Sequence, residues 1–307
     1  MDKSLLKIKK PYVIIIKIRN IFTGENFMKI AVTADTACDL SKENLLKYDI
    51  KTIPFHVLLG NEEILDGEKT VLEILEYVDN SGVLPRTSGV NEYEFAEFFT
   101  EVLKEYDEIV HISISSGVSS TCQNAIIAAK GFKNVYVVDS KALSSAEGML
   151  AINARELANE GKNAKEIAKI LNNRAEKLQC SFVVERLDFL HKGGRCSGFQ
   201  LLGANLFKIR PRIVMRDGKM SNDKKYRGDM KLVIPKYTQD LLQEFINADK
   251  TRVIIAHVLC TDEMINGAVE VLKNAGFNEI IVQDAGATVT SHCGLHTIGV
   301  FYFNDAN

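Results

Sequence analysis

The feature of this sequence that most limits its fold is the alternation of short apolar segments with longer amphipathic ones. The short segments are rich in Val, Ile and Ala, and the longer ones repeat their apolar residues every three or four positions. We predict strands at 29–33, 51–59, 108–114 and 135–138, and helices at 39–47, 71–78, 93–106 and 119–130. Strands and helices that alternate in this way form a largely parallel sheet covered on both faces.

A helical stretch without a strand follows this first unit. It covers residues 144–161 and 164–178, and we place a domain boundary within it. The predicted N-terminal α/β domain is therefore 28–158, and the C-terminal α/β domain is 159–307. In the second domain we predict strands at 181–184, 212–215, 252–258, 279–283 and 297–303, and helices at 231–246 and 263–275. The sequence does not predict the strand order of the second sheet.

The first 27 residues differ from the rest of the chain. Six basic residues outweigh two acidic ones there, and the apolar run at 12–16 is too short to span a membrane. We interpret residues 1–27 as an extension, or as the product of an upstream start codon, before a domain that opens at Met28. A basic segment that touches a membrane surface transiently is the alternative, although Pro11 and the lack of a long apolar face argue against it.

Charge and cysteine content narrow the classes of function. The formal net charge of the 307 residues is −2, which gives no indication of a nucleic-acid partner. Six cysteines are scattered without a CxxC pair or a short Cys/His ligand spacing. We read them as free thiols in a reducing compartment, the cytoplasm, and we expect no metal site.

A serine-rich loop between a predicted strand and a predicted helix is the clearest sign of a ligand site. Its polar residues are Ser115, Ser116, Ser119, Ser120 and Thr121. The carboxyl ends of strands line the ligand crevice of open α/β sheets, and a helix N-terminus attracts anions. Ser119 or Ser120 alone would suffice to cap the helix, so five hydroxyls favour an anionic ligand. The loop lacks the lysine of a nucleotide-binding P-loop.

Other polar residues are expected to share the rim of this site. Thr87 and Ser88 lie in a turn before a helix, and Asp35 and Thr36 end the first strand. Near the C-terminus, His292 lies among small residues, which let a backbone or a ligand approach an imidazole ring. A core histidine with a backbone partner is the simpler alternative.

Cys293 next to His292 raises the possibility of a Cys–His hydrolase. Neighbours on an extended chain point to opposite sides, however, and we predict an extended chain there. Basic residues recur from the segment LDFLHKGGRCSG at 187–198 through 227, and we predict a turn region at Lys224, Lys225 and Arg227. They are interpreted either as solvated surface or as an electropositive docking patch or gate.

Six ordered motifs resemble those of the DegV family, and the resemblance runs from Met28 to the C-terminus. The motifs are Asp35-Thr36, Thr87-Ser88-Gly89, SSGVSSTCQ at 115–123, Val138-Asp139-Ser140, KGGRCS at 192–197, and His292-Cys293-Gly294. The resemblance implies a two-domain α/β protein that holds a long-chain fatty acid between its domains and needs no cofactor. In Gram-positive bacteria, similar proteins are the binding subunits of fatty acid kinase. They present the carboxylate to a separate ATP-dependent subunit, which converts it to an acyl phosphate.

The resemblance also implies roles for individual residues. The fatty-acid carboxylate would be bound by Thr87, Ser88, Ser115, Ser116 and His292. Supporting or gating roles would fall to Asp35, Thr36, Ser119, Thr121, Arg195, Gly294 and His296. Arg227 would engage the kinase subunit.

Three positions depart from the family pattern. The turn reads TSGVN instead of TSQPS, Cys122 replaces an aromatic residue, and His296 replaces a glycine. The first two would reshape the pocket, and His296 would narrow the site or add a titrating group. The alternative function is a stand-alone hydrolase or phosphotransferase that acts on a small anion. Against it, the sequence has no Walker loop, metal-ligand cluster or nucleophile elbow.

Overall fold

The computed structural model describes residues 28–194 and 208–306, so the predicted extension 1–27 lies outside the described residues. The elements of the first half are β1 (Ile30–Asp35), α1 (Lys42–Lys47), β2 (Ile50–Ile53), β3 (His56–Leu59), β4 (Glu62–Leu65), α2 (Val71–Ser81), β5 (Arg86–Ser88), α3 (Glu92–Val102), β6 (Glu108–Ser113), α4 (Thr121–Ala129), β7 (Val135–Asp139) and α5 (Ser145–Asn159). Four strands form a parallel sheet of order β2-β1-β6-β7. All six residues of the central strand β1 are buried, as expected of a strand covered on both faces. The parallel-sheet prediction is confirmed.

A second, smaller sheet was not predicted. Strands β4, β3 and β5 pair antiparallel in that order. The segment 51–59, predicted to be one extended element, is divided between the two sheets, with Pro54 between β2 and β3. Proline has no N–H to donate to a strand ladder, so the pairing is interrupted there.

The second half of the chain forms a mostly antiparallel sheet of order β10-β9-β8-β13-β11-β12. Its elements are α6 (Ala164–Ala175), β8 (Leu178–Val183), α7 (Asp188–Lys192), β9 (Ile209–Arg216), β10 (Lys219–Arg227), α8 (Met230–Glu244), β11 (Arg252–His257), α9 (Asp262–Asn274), β12 (Glu279–Asp284), α10 (Ala287–Cys293) and β13 (Ile298–Phe303). In this sheet only β11 and β12 pair in parallel. The predicted second α/β unit is therefore present.

Two predictions of local structure in this half are wrong. Residues 219–227 form the edge strand β10, not a turn region. The turn lies before it, at Asp217 and Gly218, which both have positive φ. An edge strand is exposed on much of its surface, so its polar sequence hides the alternation that marks a strand. Residues 287–293 form the helix α10 where we predicted an extended chain.

Helix α5 lies between the two sheets. Its residues from Ser145 to Ile152 are all buried, and it contacts β1 and β6 on one side and β11 and β13 on the other. One continuous hydrophobic core therefore joins both halves. The domain boundary at 158–159 stays a prediction. Within the described ranges, no helix combines the length and the apolar character needed to cross a bilayer.

Candidate functional site

An internal cavity of about 60 Å³ lies between the two halves of the chain. The first half contributes Phe55, Thr87, Gly89, Ile114, Val118, Ser119 and Leu143, and the second contributes Phe182, Leu190, Met220, Thr288, Val289, His292 and Cys293. The lining is predominantly apolar with a few polar groups, as is typical of sites for small apolar ligands. A smaller cavity of about 20 Å³ shares Leu143, Phe182, Val289 and Cys293 with it.

Thr87 and His292 form a hydrogen-bonded pair at this cavity. The Thr87 Oγ1 atom lies 2.8 Å from His292 Nε2, although the two residues are 205 positions apart in sequence. Thr87 lies in β5 of the small sheet, and His292 lies in the last turn of α10. The structure thus brings together two residues that the sequence had assigned to one site.

The N-terminal half holds the helix that carries His292. Asp66 accepts hydrogen bonds from the N–H groups of Ala287 (2.9 Å) and Thr288 (3.2 Å), and Asp39 accepts one from Gly286 (2.7 Å). Carboxyl oxygens that accept these hydrogen bonds stabilise a helix N-terminus, because its first N–H groups are otherwise unpaired. Asp39 and Asp66 lie far from α10 in sequence, so local sequence reasoning missed the helix.

Two glycines allow close packing around His292. Gly294 ends α10 at φ 74° and ψ −179°, a conformation that essentially only glycine adopts, and a Cβ there would lie 2.7 Å from the Phe189 ring. A Cβ at Gly193 would lie 2.5 Å from His292 Nδ1, so the imidazole packs directly against that backbone. The predicted role of small residues beside His292 therefore extends to Gly193, which sequence reasoning had not singled out for it.

Only part of the serine loop faces the cavity. Ser119 lines it, accepts a hydrogen bond from the N–H of Thr121 (3.2 Å), and lies 2.9 Å from the Thr121 hydroxyl. A Cβ at Gly89 would lie 2.3 Å from Thr121 Oγ1. The glycine of the TSGVN turn thus gives room to the loop hydroxyls. Ser120 makes no side-chain cap to α4.

The hydroxyls of Ser115 and Ser116 point elsewhere. Buried Ser115 donates to the carbonyl of Gly218 (2.7 Å), and exposed Ser116 donates to Asp139 (2.6 Å). A Cβ at Gly117 would lie only 2.2 Å from the same Gly218 carbonyl. These residues dock the loop onto the β9–β10 turn and onto the end of β7, and neither hydroxyl lines the cavity.

The remaining predicted residues lie around the site rather than in it. Ser88 is exposed, since successive strand residues point to opposite faces and Thr87 faces inward. The Thr36 hydroxyl donates to Asp66 (3.2 Å) and so supports the cap of α10. The His296 ring pairs with Glu185 (2.6 Å) and lines neither cavity, so it does not narrow the site. The backbone of His296 has a φ of 56°, in the left-handed region that glycine adopts most readily. Arg195 lies outside the described residues.

The basic stretch between 208 and 227 divides into buried and exposed residues. Arg210 pairs with Glu185, and Arg212 pairs with Asp223 and Glu244, and both arginines are buried. They hold the fold together and do not belong to an exposed docking patch. Arg227 is exposed at the end of the edge strand β10.

Buried carboxyl groups lie beneath the site. Burial raises the pKa of Asp35 to about 7 and that of Asp39 to about 8. Asp35 accepts hydrogen bonds from the N–H of Ile114 and the hydroxyl of Ser113, and Asp39 accepts one from Ser144. Burial also raises the pKa of Glu147 well above its usual value. These groups support the elements around the cavity but do not line it.

We expect the stability of the protein to fall as pH rises from about 4 to about 8. A carboxyl group whose pKa is higher in the folded state binds its proton more tightly there than in the unfolded chain. Its contribution to stability is therefore complete at pH values below the unfolded-state pKa. The contribution is lost as the pH rises to the folded-state pKa. Asp39→Asn should make the total loss of stability between about pH 4 and pH 8 smaller by an amount on the order of a few kcal/mol, because Asn stays neutral and tolerates the positive φ of residue 39. Urea unfolding at several pH values measures it. The exposed Asp79→Asn is the control, and an unchanged slope in Asp39→Asn would contradict the assignment.

An outer cleft of about 350 Å³ adjoins the Thr87–His292 pair. It is lined by Leu84, Pro85, Arg86, Thr87, Lys192, Gly193, Ser291 and His292. Thr87 and His292 line both this cleft and the internal cavity, so the pair lies where the apolar cavity and the basic cleft meet. The sequence had placed Lys192 in the basic stretch read as solvated surface or as a docking patch or gate, and the structure places it in this cleft and not in the internal cavity.

Comparison with known proteins identifies relatives over nearly the whole chain. Residues 29–305 match the family model described as "Uncharacterised protein, DegV family". A fatty acid-binding protein of Thermotoga maritima is 30% identical over 283 residues, which cover 89% of this chain and 96% of that protein.

Solved structures agree with this match. One is a DegV family protein from Thermus thermophilus that is described by its fatty acid binding. It has a TM-score of 0.82 and 27% identity to this chain, and the match covers 90% of this chain and 99% of that protein. DegV of Bacillus subtilis, described as a fatty acid binding protein, has a TM-score of 0.78 at 26% identity with coverages of 90% and 99%. These relatives are described by binding and not by an enzymatic activity. The resemblance seen in the six motifs is confirmed, and this chain belongs to the DegV family.

Proposed function

We propose that this protein binds a long-chain fatty acid with its acyl chain in the internal cavity and its carboxylate at Thr87 and His292. The observation that carries the proposal is the position of this pair between an apolar cavity and a basic cleft. Fatty acid binding by relatives over nearly the full length supports it. Ser119 lines the same cavity as the pair, whereas Ser115 and Ser116 would act by holding the loop in place.

The acyl chain would supply most of the affinity. Burying about fifteen methylene groups contributes roughly 12 kcal/mol before the costs of association and ordering, at ~0.8 kcal/mol for each group. A buried carboxylate is unfavourable unless donors compensate it. The Thr87 hydroxyl and the His292 ring would therefore fix the orientation of the head group and offset its desolvation.

The cavity must widen to hold a long chain. One water-sized group needs roughly 10–15 Å³ of such space, so about 60 Å³ admits only a few. Phe182 lines both the internal cavity and the smaller one next to it. Movement of Phe182 would join the two spaces and lengthen the channel for the acyl chain.

The second part of the proposal concerns what happens to the carboxylate. We propose that the protein presents it to a separate ATP-dependent kinase subunit, which phosphorylates it to an acyl phosphate. The contact would include Arg227, an exposed arginine on an unpaired strand edge. We place the protein in the cytoplasm, since the five described cysteines are free thiols.

The experiment follows the lipid through both steps. Mass spectrometry of an organic extract of the purified protein should detect near-stoichiometric fatty acid. Incubation of the loaded protein with ATP and the kinase subunit from the same genome should yield acyl phosphate. Arg227→Glu should lower the rate of phosphorylation by about tenfold or more, because it reverses the charge at the contact, and should leave fatty acid binding unchanged.

The matched control for Arg227→Glu is Lys169→Glu, an exposed charge reversal on α6, far from β10 in the sequence. Protein that carries no lipid and ignores added fatty acid would refute the binding proposal. Binding without any phosphorylation, or equal rates for both charge reversals, would refute the proposed presentation or the role of Arg227, respectively.

A further inference from the structure

The outer cleft carries two cations directly beside the Thr87–His292 pair. Arg86 immediately precedes Thr87 in β5, and Lys192 immediately precedes Gly193, whose backbone packs against the His292 ring. Both residues line the cleft, and both are exposed. The two positive charges are thus attached to the same short segments that hold the head-group pair.

Neither Arg86 nor Lys192 has a carboxylate partner among the described residues, whereas most arginines of the second half do. Arg186, Arg210 and Arg212 each form an ion pair with an acidic side chain. No described carboxylate lies within ion-pair distance of Arg86 or Lys192, and no described acidic residue lines the cleft. The cleft therefore favours an anion from outside the described chain.

We propose that the outer cleft binds the phosphoryl group of an acyl phosphate, with Arg86 and Lys192 as its cationic contacts. This inference rests on the proposed function. In the transfer, a carboxylate oxygen attacks the γ-phosphorus of ATP, the bond from that phosphorus to the bridging oxygen breaks, and ADP leaves with the electron pair. The bound lipid changes from a monoanion to a dianion, and the atoms and charges balance without another reactant.

Geometry favours a lipid-borne phosphoryl group over an acidic surface of another protein. The new phosphorus atom is one bond from a carboxylate oxygen held at Thr87 and His292, and the cleft begins at that pair. The cleft is concave, with Pro85 and Gly193 in its wall. An arginine fork and a lysine ammonium group are the usual contacts of phosphate oxygens in proteins.

The site should make the protein discriminate between the product and the substrate of the transfer. The free acid places no charge in the cleft beyond its carboxylate, so its affinity should depend little on Arg86 or Lys192. The acyl phosphate adds about one further negative charge there. Its affinity should depend on both cations and should fall with salt, because exposed charges are screened.

The test compares palmitate with 2-oxoheptadecylphosphonate, in which a methylene group replaces the hydrolysable anhydride oxygen. Dissociation constants are measured by calorimetry on the delipidated full chain at low and high salt. Arg86→Ala and Lys192→Ala should each weaken phosphonate binding by roughly 5- to 30-fold, and palmitate binding by less than about twofold. Arg86→Lys should retain most of the phosphonate affinity. Lys169→Ala, at another exposed lysine without an ion pair among the described residues, should change neither.

The possible results separate this inference from the proposed function. Unchanged phosphonate affinity in both alanine variants, with palmitate still bound, would overturn the phosphoryl site and leave fatty acid binding intact. Slower phosphorylation by the partner with unchanged phosphonate affinity would place the two cations in a protein contact and would also overturn it. Failure of the unmodified chain to bind palmitate would instead overturn the proposed function.

Discussion

Replacing Thr87 by Val, or His292 by Ala, is expected to weaken fatty acid binding by roughly 10- to 100-fold. Each change removes a hydrogen-bonding group from the 2.8 Å pair at the boundary of the cavity. A hydrogen bond to a charged group contributes about 1.5–3 kcal/mol, which corresponds to that range of affinity. The acyl-chain lining is unchanged, so the loss should fall on the head group and be similar for chains of different length.

Ser88→Ala is the matched control for Thr87→Val. It lies next to Thr87 in β5 but is exposed on the other face of the strand. Titration with a fluorescent fatty acid, and its displacement by unlabelled acids, measures all three variants. Equal affinities for Thr87→Val and Ser88→Ala would show that the carboxylate binds elsewhere. Circular dichroism of each variant verifies that the fold is retained.

Gly294→Ala is expected to destabilise the protein by roughly 3–5 kcal/mol and to weaken ligand binding through displacement of His292. The backbone at φ 74° and ψ −179° is unfavourable for any residue with a Cβ, and the new methyl group would meet the Phe189 ring at 2.7 Å. Strain of this kind costs about 1–3 kcal/mol, and overpacking of a core adds a similar amount. Urea denaturation measures the change in the free energy of unfolding.

Gly161→Ala separates the two contributions to this loss. Gly161 also has a positive φ, of 89°, but a Cβ there would have no heavy atom within 4 Å. Its replacement should cost only the backbone strain, about 1–2 kcal/mol. If Gly294→Ala were no more destabilising than Gly161→Ala, close packing against Phe189 would have no role in holding α10.

Elements with strong local patterns were predicted from the sequence. The buried strands β1 and β6 have continuous apolar runs, and α2 and α3 have helical spacing with capping boxes at Thr70 and Asn91. These signals depend only on nearby residues. Helix α10 could not be predicted in the same way, because the carboxyl groups that cap it come from Asp39 and Asp66.

The candidate site was predicted in its composition but not in its geometry. The motifs indicated Thr87 and His292, which the structure brings into contact. A row of hydroxyls cannot show which of them face inward, and Ser115 and Ser116 were assigned to the carboxylate although their hydroxyls bond to Gly218 and Asp139. The edge strand β10 was missed despite the Asp217-Gly218 turn before it, a common signal for a two-residue hairpin.

The caps on α10 have a mechanical consequence. Although α10 lies between two strands of the second sheet in sequence, its first turn is bonded to Asp39 and Asp66 of the first half. A motion that separates the sheets to admit a lipid must break these bonds or carry α10 with the first half. If α10 moves with the first half, the chain must bend at the two glycines that flank the helix, Gly286 and Gly294. The proposed carboxylate site would then move with the first half, and the proposed space for the acyl chain would widen between the two sheets.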